Sequence, residues 1–349
     1  HNTVCVDGLN QTRYVPKAIK DASRHAPGSV RHKISGPAPV TSLLEGFGGA
    51  HLDLLHGRCA SHEYDAVHER CIVFVDRNAQ TEILRAALDP ARQELAAAPA
   101  PVFSGSFELR EQQLSLDGKR VVFTNEDMPQ HLHLVQADGT GYRQLTTGDE
   151  RNRQGSWSPQ GDWIAFQTNQ GESSLAAIHP DGGARQPIAV GRGFTNPRWS
   201  PDGKALLTFN TGIGGMILDL GAGFGSPVKQ DLPPVSPGVL FWPIAWSPDG
   251  ALVAGTAVTA GQVGDIHVWS VAERAYRRMP WNRGEQVDYS VVFIDRDTLV
   301  YGSGGELWLG DIRGGEPKRI YTSPPGHRIG NISGSRDGLA LTWIDNADE

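Results

Sequence analysis

Few residues in this chain have the types and spacing that chemistry requires, and the sharpest set is a mirrored cysteine–histidine pair. Cys59-x2-His62 and His68-x2-Cys71 stand in the first quarter of the chain, with His51 and His56 nearby. Two thiolates and two imidazoles make a tetrahedral zinc set. Against that reading, the half-sites are separated by only Glu63–Val67, whereas zinc modules leave about a dozen residues or more. Cys71 also opens the strand-like run C-I-V-F-V, where a cysteine most often serves as a small hydrophobe. The expectation is therefore no metal and no cofactor, with Cys59, His62, His68 and Cys71 as the one metal alternative. The three cysteines Cys5, Cys59 and Cys71 cannot build a disulfide framework, although a Cys59–Cys71 bridge stays open in an oxidising compartment.

Other chemical signals are sparse. No P-loop, dinucleotide fingerprint, nucleophile elbow or H-E-x-x-H occurs, and the glycine clusters Gly212–Gly215 and Gly221–Gly225 lack the strand-then-helix context of a phosphate cradle. Asn10-Gln11-Thr12 and Asn331-Ile332-Ser333 fit the glycosylation pattern by chance. Acid–base candidates (Glu126, Asp127, Glu150, Asp288, His327) are scattered along the sequence. A net charge of −7 argues against nonspecific nucleic-acid binding. Every apolar run is far shorter than the ~20 residues of a spanning helix.

What must position these residues is set by a phrase that returns. It reads W-S-P-Q-G at Trp157–Gly161 and W-S-P-D-G at Trp199–Gly203 and Trp246–Gly250. Looser copies stand at Leu114–Gly118 and Gly334–Gly338, and a worn one at Phe293–Asp297. The fourth positions, Asp117, Gln160, Asp202, Asp249, Arg296 and Asp337, step by 43, 42, 47, 47 and 41 residues. A period in the forties marks an array of similar supersecondary units. Within each unit Pro presets the first corner of a tight turn and Gly takes the left-handed position. Apolar strands flank the turn, Val121–Phe123 and Ala205–Phe209 among them, and a second Gly-bearing turn such as Asp138-Gly139 follows. Four antiparallel strands in about forty residues, repeated, predict an all-β propeller. Glycine (42) and proline (23) punctuate the chain too often for helices. Counting Cys71–Val75 as a second strand, and Thr81–Ala98 as part of another blade, favours seven blades, with six as the alternative. The last unit stops after two strands, so the N-terminal side is expected to supply the outer strands that close the ring.

The W-S-P-D-G-K-x-L repeat and D-G-T-G-Y-R-Q-L-T (Asp138–Thr146) resemble the TolB-like propeller repeat of bacteria. Phe74–Ser106, with D-R-N-A-Q-T-E-I-L-R, resembles propellers appended to bacterial serine/threonine kinases and winged-helix regulators. The likeness covers about residues 66–345. Its motif is specific for fold and nearly silent on function, because the repeated residues are turn formers and wedges. It implies a periplasmic or other extracytoplasmic place, with a cytoplasmic one left open.

Residues 1–65 carry no turn phrase and are read as a poorly patterned segment, either a degenerate blade with a ring-closing strand or sequence foreign to the fold; 66–349 form the propeller. The chain begins at His1, so any signal peptide is expected to be missing from it already.

In a propeller, the loops joining fourth to first and second to third strands surround the channel mouth, and here they are chemically varied. Variation on one rim over a constant scaffold is how binding sites are usually built. The candidate partner-binding residues are Glu126, Asp127, Arg151, Asn152, Arg192, Phe194, Asn196, Trp242, Trp281, Tyr289, His327 and Arg328. Trp, Tyr and Arg dominate binding hot spots, so these aromatics, with Phe241, are candidate exposed anchors; for Trp242 and Tyr289 the favoured reading is that they begin inner strands and pack between blades. The function expected is a non-catalytic binding or scaffold module for a protein or small ligand, monomeric or a domain of a larger chain. A lyase, lactonase or hydrolase with a metal or acid–base site at the mouth is the alternative.

Overall fold

In the computed structural model of the chain, contacts divide it into two compact units, His1–Arg77 and Asn78–Glu349. The residues described are 81–89, 91–105, 109–125, 129–169, 174–191, 193–260, 262–281, 287–335 and 340–347, without the side chains at 105, 287–289, 340 and 345–347. Before them only the backbone of seven strands is described. In that first unit Val40–Gly49, Leu52–Ala60 and Val67–Val75 pair as one antiparallel sheet.

The turn phrases shape the second unit. In each full copy the glycine N–H returns to the serine carbonyl, as from Gly203 to Ser200 and from Gly250 to Ser247 (both 2.9 Å). The serine hydroxyl donates to the aspartate, at 2.6 Å from Ser200 to Asp202 and from Ser247 to Asp249. Where Gln160 replaces the aspartate, Asp162 accepts from Ser158 instead (2.6 Å), so the turn survives the substitution. In the worn copy Asp295 accepts from the N–H groups of Asp297 and Thr298 (both 2.8 Å). Each turn closes a hairpin of two strands, and each hairpin grows into a four-stranded antiparallel sheet.

Blade 1 is Leu109–Leu114, Arg120–Asn125, Leu132–Gln136 and Arg143–Gln144. Blade 2 is Asn152–Trp157, Ile164–Thr168, Ser174–Ile178 and Gln186–Ala189, and blade 3 is Thr195–Trp199, Ala205–Asn210, Gly214–Asp219 and Val228–Asp231. Blade 4 is Leu240–Trp246, Leu252–Thr259, Gln262–Ser270 and Ala275–Arg278, and blade 5 is Val287–Phe293, Thr298–Ser303, Glu306–Asp311 and Lys318–Thr322. Blade 6 takes its inner strands from the C-terminal side, His327–Gly334 and Ala340–Ala347, and its outer strands from Thr81–Asp89 and Ala100–Gly105. The closing register runs from Ala340 opposite Ala87 to Asn346 opposite Thr81.

The ring therefore has six blades, and the favoured count of seven is corrected. Cys71–Val75 pairs with Leu52–His56 in the separate sheet, and Thr81–Ala98 supplies an outer strand of blade 6 rather than a further blade. Closure from the N-terminal side is present, but its strands are Thr81–Asp89 and Ala100–Gly105 rather than a strand within residues 1–65.

Six apolar clusters fill the six seams between blades, so that each sheet buries both faces. The phrase tryptophans pin the seams as well as filling them. The indole N–H of Trp157 donates to the Gln113 carbonyl of the preceding blade (3.2 Å), that of Trp199 to Ser156 (3.1 Å) and that of Trp246 to Arg198 (3.3 Å). A buried indole with its N–H satisfied keeps its full apolar contribution.

Candidate functional site at the central channel

The inner strands line the channel, and an irregularity repeated in them decides what faces it. The pairing slips between Arg110 and Gln113, Arg153 and Ser156, Thr195 and Arg198, and Gly330 and Ile332. At each slip sits a non-glycine residue with positive φ: Glu111 (54°), Gln154 (59°), Asn196 (54°) and Asn331 (33°). Such bulges re-aim side chains, and the left-handed region tolerates Asn better than most residues. These residues lie three positions before the Trp of the turn phrase or its equivalent.

Their side chains link blade to blade. The Gln154 N–H donates to Glu111 Oε2 (3.0 Å), and the Asn196 N–H and Thr195 hydroxyl both donate to Gln154 Oε1 (2.7 Å). At the same position in blade 5, Ser290 Oγ accepts from the Ile332 N–H (2.9 Å). Blade 4 carries Pro243 there, which has no N–H to give, and the relay stops.

Two cavities lie along the channel. The one at the loop end has a volume of about 470 Å3 and is lined by Arg110, Glu111, Gln154, Asn196, Trp242 and Arg328, among others. The one at the turn-phrase end, of about 140 Å3, is lined by Gln113, Ser156, Arg198 and the phrase tryptophans. Ile244 and Asn331 border both. Burial pushes the Glu111 carboxyl above its ordinary pKa, although Arg153, the Gln154 N–H and Arg198 pull it down. Burial lowers the Arg198 guanidinium to about 10, with Glu111 opposing, so it stays cationic at neutral pH.

The structure brings three of the expected binding residues, Asn196, Trp242 and Arg328, to the loop-end cavity. Arg151 donates to Gln130 Oε1 (2.8 and 3.2 Å), outside that lining, while Asn152 is fully buried and donates to the Glu150 carbonyl (3.0 Å). Phe194 packs into the seam between blades 2 and 3, and His327 is half-buried at the start of the blade 6 inner strand. The expected exposure fails for Phe241 (1%) and Trp281 (7%), whereas Trp242 (7%) is packed between blades, as the strand-opening reading has it. Trp242 stacks on Phe209 (centroids 4.7 Å apart) and Trp281, in the loop between blades 4 and 5, on Tyr301 (5.7 Å), because a large ring is better buried between blades than left in water. Glu126, Asp127 and Arg192 lie outside the described residues, as does the Tyr289 side chain.

Of the metal alternative, the backbone register sets Cys59 opposite His68 and His56 opposite Cys71. Those side chains, and His62 altogether, lie outside the described residues. Among the described residues no three His, Cys, Asp or Glu side chains converge. Glu111, Gln113, Gln154, Arg198 and Asn331 were missed as site residues. The signal was available in Glu111, Gln154 and Asn196, which repeat the ruler's steps of 43 and 42 residues three places before each phrase.

No family model matches the sequence. One curated relative, dipeptidyl-peptidase 5 of Porphyromonas endodontalis, is 34% identical over 103 residues, which is 27% of this chain and 15% of that protein. Among solved structures, a TolB protein of Agrobacterium tumefaciens superposes with a TM-score of 0.63 at 17% identity, covering 78% of this chain and all of that one. TolB of Acinetobacter baumannii superposes with a TM-score of 0.51 at 14% identity, covering 87% of this chain and 78% of that one. Ring, blade order and closure together identify the chain as a six-bladed β-propeller with the fold of the TolB proteins.

Proposed function

We propose that this propeller is a non-catalytic binding module that receives a protein partner at the channel mouth. The observation that supports it most is the 470 Å3 loop-end cavity, where hydrogen-bonding side chains (Gln154, Asn196), two arginines (Arg110, Arg328) and a tryptophan wall (Trp242) converge from different blades. Concave sites with an apolar wall and a few placed polar groups are the usual form of recognition pockets. The likeness to TolB proteins supports an envelope setting as part of the same proposal. Among the described residues no helix is long and apolar enough to cross a membrane. The 103-residue match to a peptidase supports a second reading, in which the propeller serves within a longer chain whose chemistry resides elsewhere.

A photo-crosslinker at exposed Thr211, on the cavity rim, tests the first reading against one at Asp202 on the opposite face. Adducts mapped to Thr211, absent from Asp202 and abolished by Arg328→Glu, are expected. Adducts that form equally from both faces would overturn the mouth as the binding surface.

A further inference from the structure

The 140 Å3 chamber at the turn-phrase end is walled by apolar side chains from all six blades, among them Leu114, Trp157, Trp199, Ile244, Phe293 and Ile332. Pro201 and Pro248 of the turn phrases border it, which sets it on the face opposite the mouth. Among its described lining residues a single side chain, Arg198, is charged. The guanidinium makes one protein hydrogen bond, from Nη1 to the Pro197 carbonyl at 3.4 Å, and forms no ion pair with a described carboxylate. Glu111 acts on it only at longer range. A guanidinium carries five N–H donors, so most of them are unspent.

Two further donors face the same space. Gln113 commits its amide oxygen to the Trp157 N–H (2.7 Å), which fixes the other end of the amide as NH2, and that end has no described acceptor. Ser156 Oγ accepts from the Trp199 N–H (3.4 Å), and its own proton is likewise without a described acceptor. A cation and two neutral donors, set in mostly apolar walls with no carboxylate among the described lining residues, form an environment for an anion with an apolar body. Arg198 is half-buried in the channel with few protein partners, and a bound anion would supply the counter-charge it lacks.

We propose that the chamber is a binding site for a monocarboxylate with a short apolar tail, its carboxylate held by Arg198 with Gln113 and Ser156, and its tail against the apolar side chains that the six blades bring to the wall. The match is of charge and shape: one guanidinium pairs bidentately with one carboxylate, and most of the remaining wall is apolar, with Asn331, Ser333 and Ser335 as its other polar side chains. The site is separate from the mouth and does not depend on what binds there. The carboxylate belongs either to a free short-chain acid or to the C-terminus of a peptide ending in an apolar residue.

The phrase tryptophans report binding, since Trp157, Trp199 and Trp246 all line the chamber. The purified chain is titrated with hexanoate, hexanamide, N-acetyl-Ala-Leu and N-acetyl-Ala-Leu-amide, following tryptophan fluorescence and confirming by calorimetry. Saturable binding of at least one acid is expected, with its amide at least about tenfold weaker, as loss of a charge-assisted pair implies. Binding by hexanoate alone assigns a free acid, and binding by the dipeptide alone assigns a peptide terminus. Arg198→Met should weaken the acid by about tenfold or more, and Arg198→Lys by less, because it keeps the charge and loses the fork. Glu111→Gln retains an acceptor for the Gln154 N–H and removes the competing negative charge, so it should tighten binding a few-fold. That variant keeps the test decisive if Arg198→Met fails to fold. Equal binding of acid and amide, unchanged affinity in Glu111→Gln, or no saturation by either acid up to about 10 mM would each overturn the proposal.

Discussion

Gln112 holds the ring shut, and replacing it with leucine should open the seam between blades 1 and 6. The side chain is 1% exposed and spans the junction of the first and last parts of the ring. Its Nε2 donates to the Asn331 carbonyl (2.7 Å) and the Thr342 carbonyl (3.0 Å). Its Oε1 accepts from the Ser333 hydroxyl (3.0 Å) and the Thr342 hydroxyl (2.8 Å). Ser333 and Thr342 also touch each other at 2.8 Å, so two hydroxyl protons serve three contacts and three to four bonds to Gln112 coexist. At a net ~1 kcal/mol each these bonds contribute about 3–4 kcal/mol, and stranding the two carbonyls adds to the loss. Leucine recovers about 1–2 kcal/mol through apolar burial. The net expectation for Gln112→Leu is about 3 kcal/mol of destabilisation. Urea unfolding followed by tryptophan fluorescence and circular dichroism measures it. A double-mutant cycle with Thr342→Val should show coupling of about 1 kcal/mol. A loss below about 0.5 kcal/mol, or strict additivity with Thr342→Val, would refute the view that this side chain fastens the closure.

Three other perturbations test the same structure. Glu111→Gln should gain stability relative to the parent as pH rises from about 4 to 7. The raised carboxyl contributes fully below its ordinary pKa of 4.5 and loses that contribution as pH climbs through the folded value, which paired melting curves would show. Asp249 runs the other way. Hydrogen bonding from Ser247 holds its carboxyl below the ordinary 3.8, so its stabilisation is present above that value and lost as pH falls through the folded one. Asp249→Asn should therefore melt less pH-dependently below about pH 4, and equal slopes in both proteins would contradict this. Gly255→Ala places a Cβ 2.2 Å from the Trp242 carbonyl and 2.7 Å from the Phe241 ring. Overpacking of this kind costs about 1–3 kcal/mol, and because Trp242 walls the loop-end cavity, mouth binding should weaken with stability. An unchanged melting temperature would show that the backbone moves aside at no cost.

The repeat was legible because it is local. Ser, Pro, Asp and Gly at fixed spacing specify a turn whatever surrounds them, and Asp162 accepting from Ser158 shows the same chemistry tolerating a displaced acceptor. The blade number was less legible. C-I-V-F-V at Cys71–Val75 has the pattern of a second strand, yet pairing with Leu52–Ala60 puts it elsewhere, and a strand pattern does not name its partner. The mouth aromatics were misjudged for a related reason. A tryptophan in a loop looks the same on paper whether it faces water or, like Trp281, packs in the seam between blades.

By itself, then, the sequence determined the turns, the four-stranded unit, its repetition and the need for a borrowed closure, because each depends on residues within one period. The tertiary structure alone decided the ring size, the fastening of blades 1 and 6 by Gln112, and the meeting of Glu111, Gln113 and Arg198 in the channel. Those depend on residues from different periods brought together by ring geometry. A bulge re-aims one side chain per inner strand, and only closure turns six separate strands into a single wall.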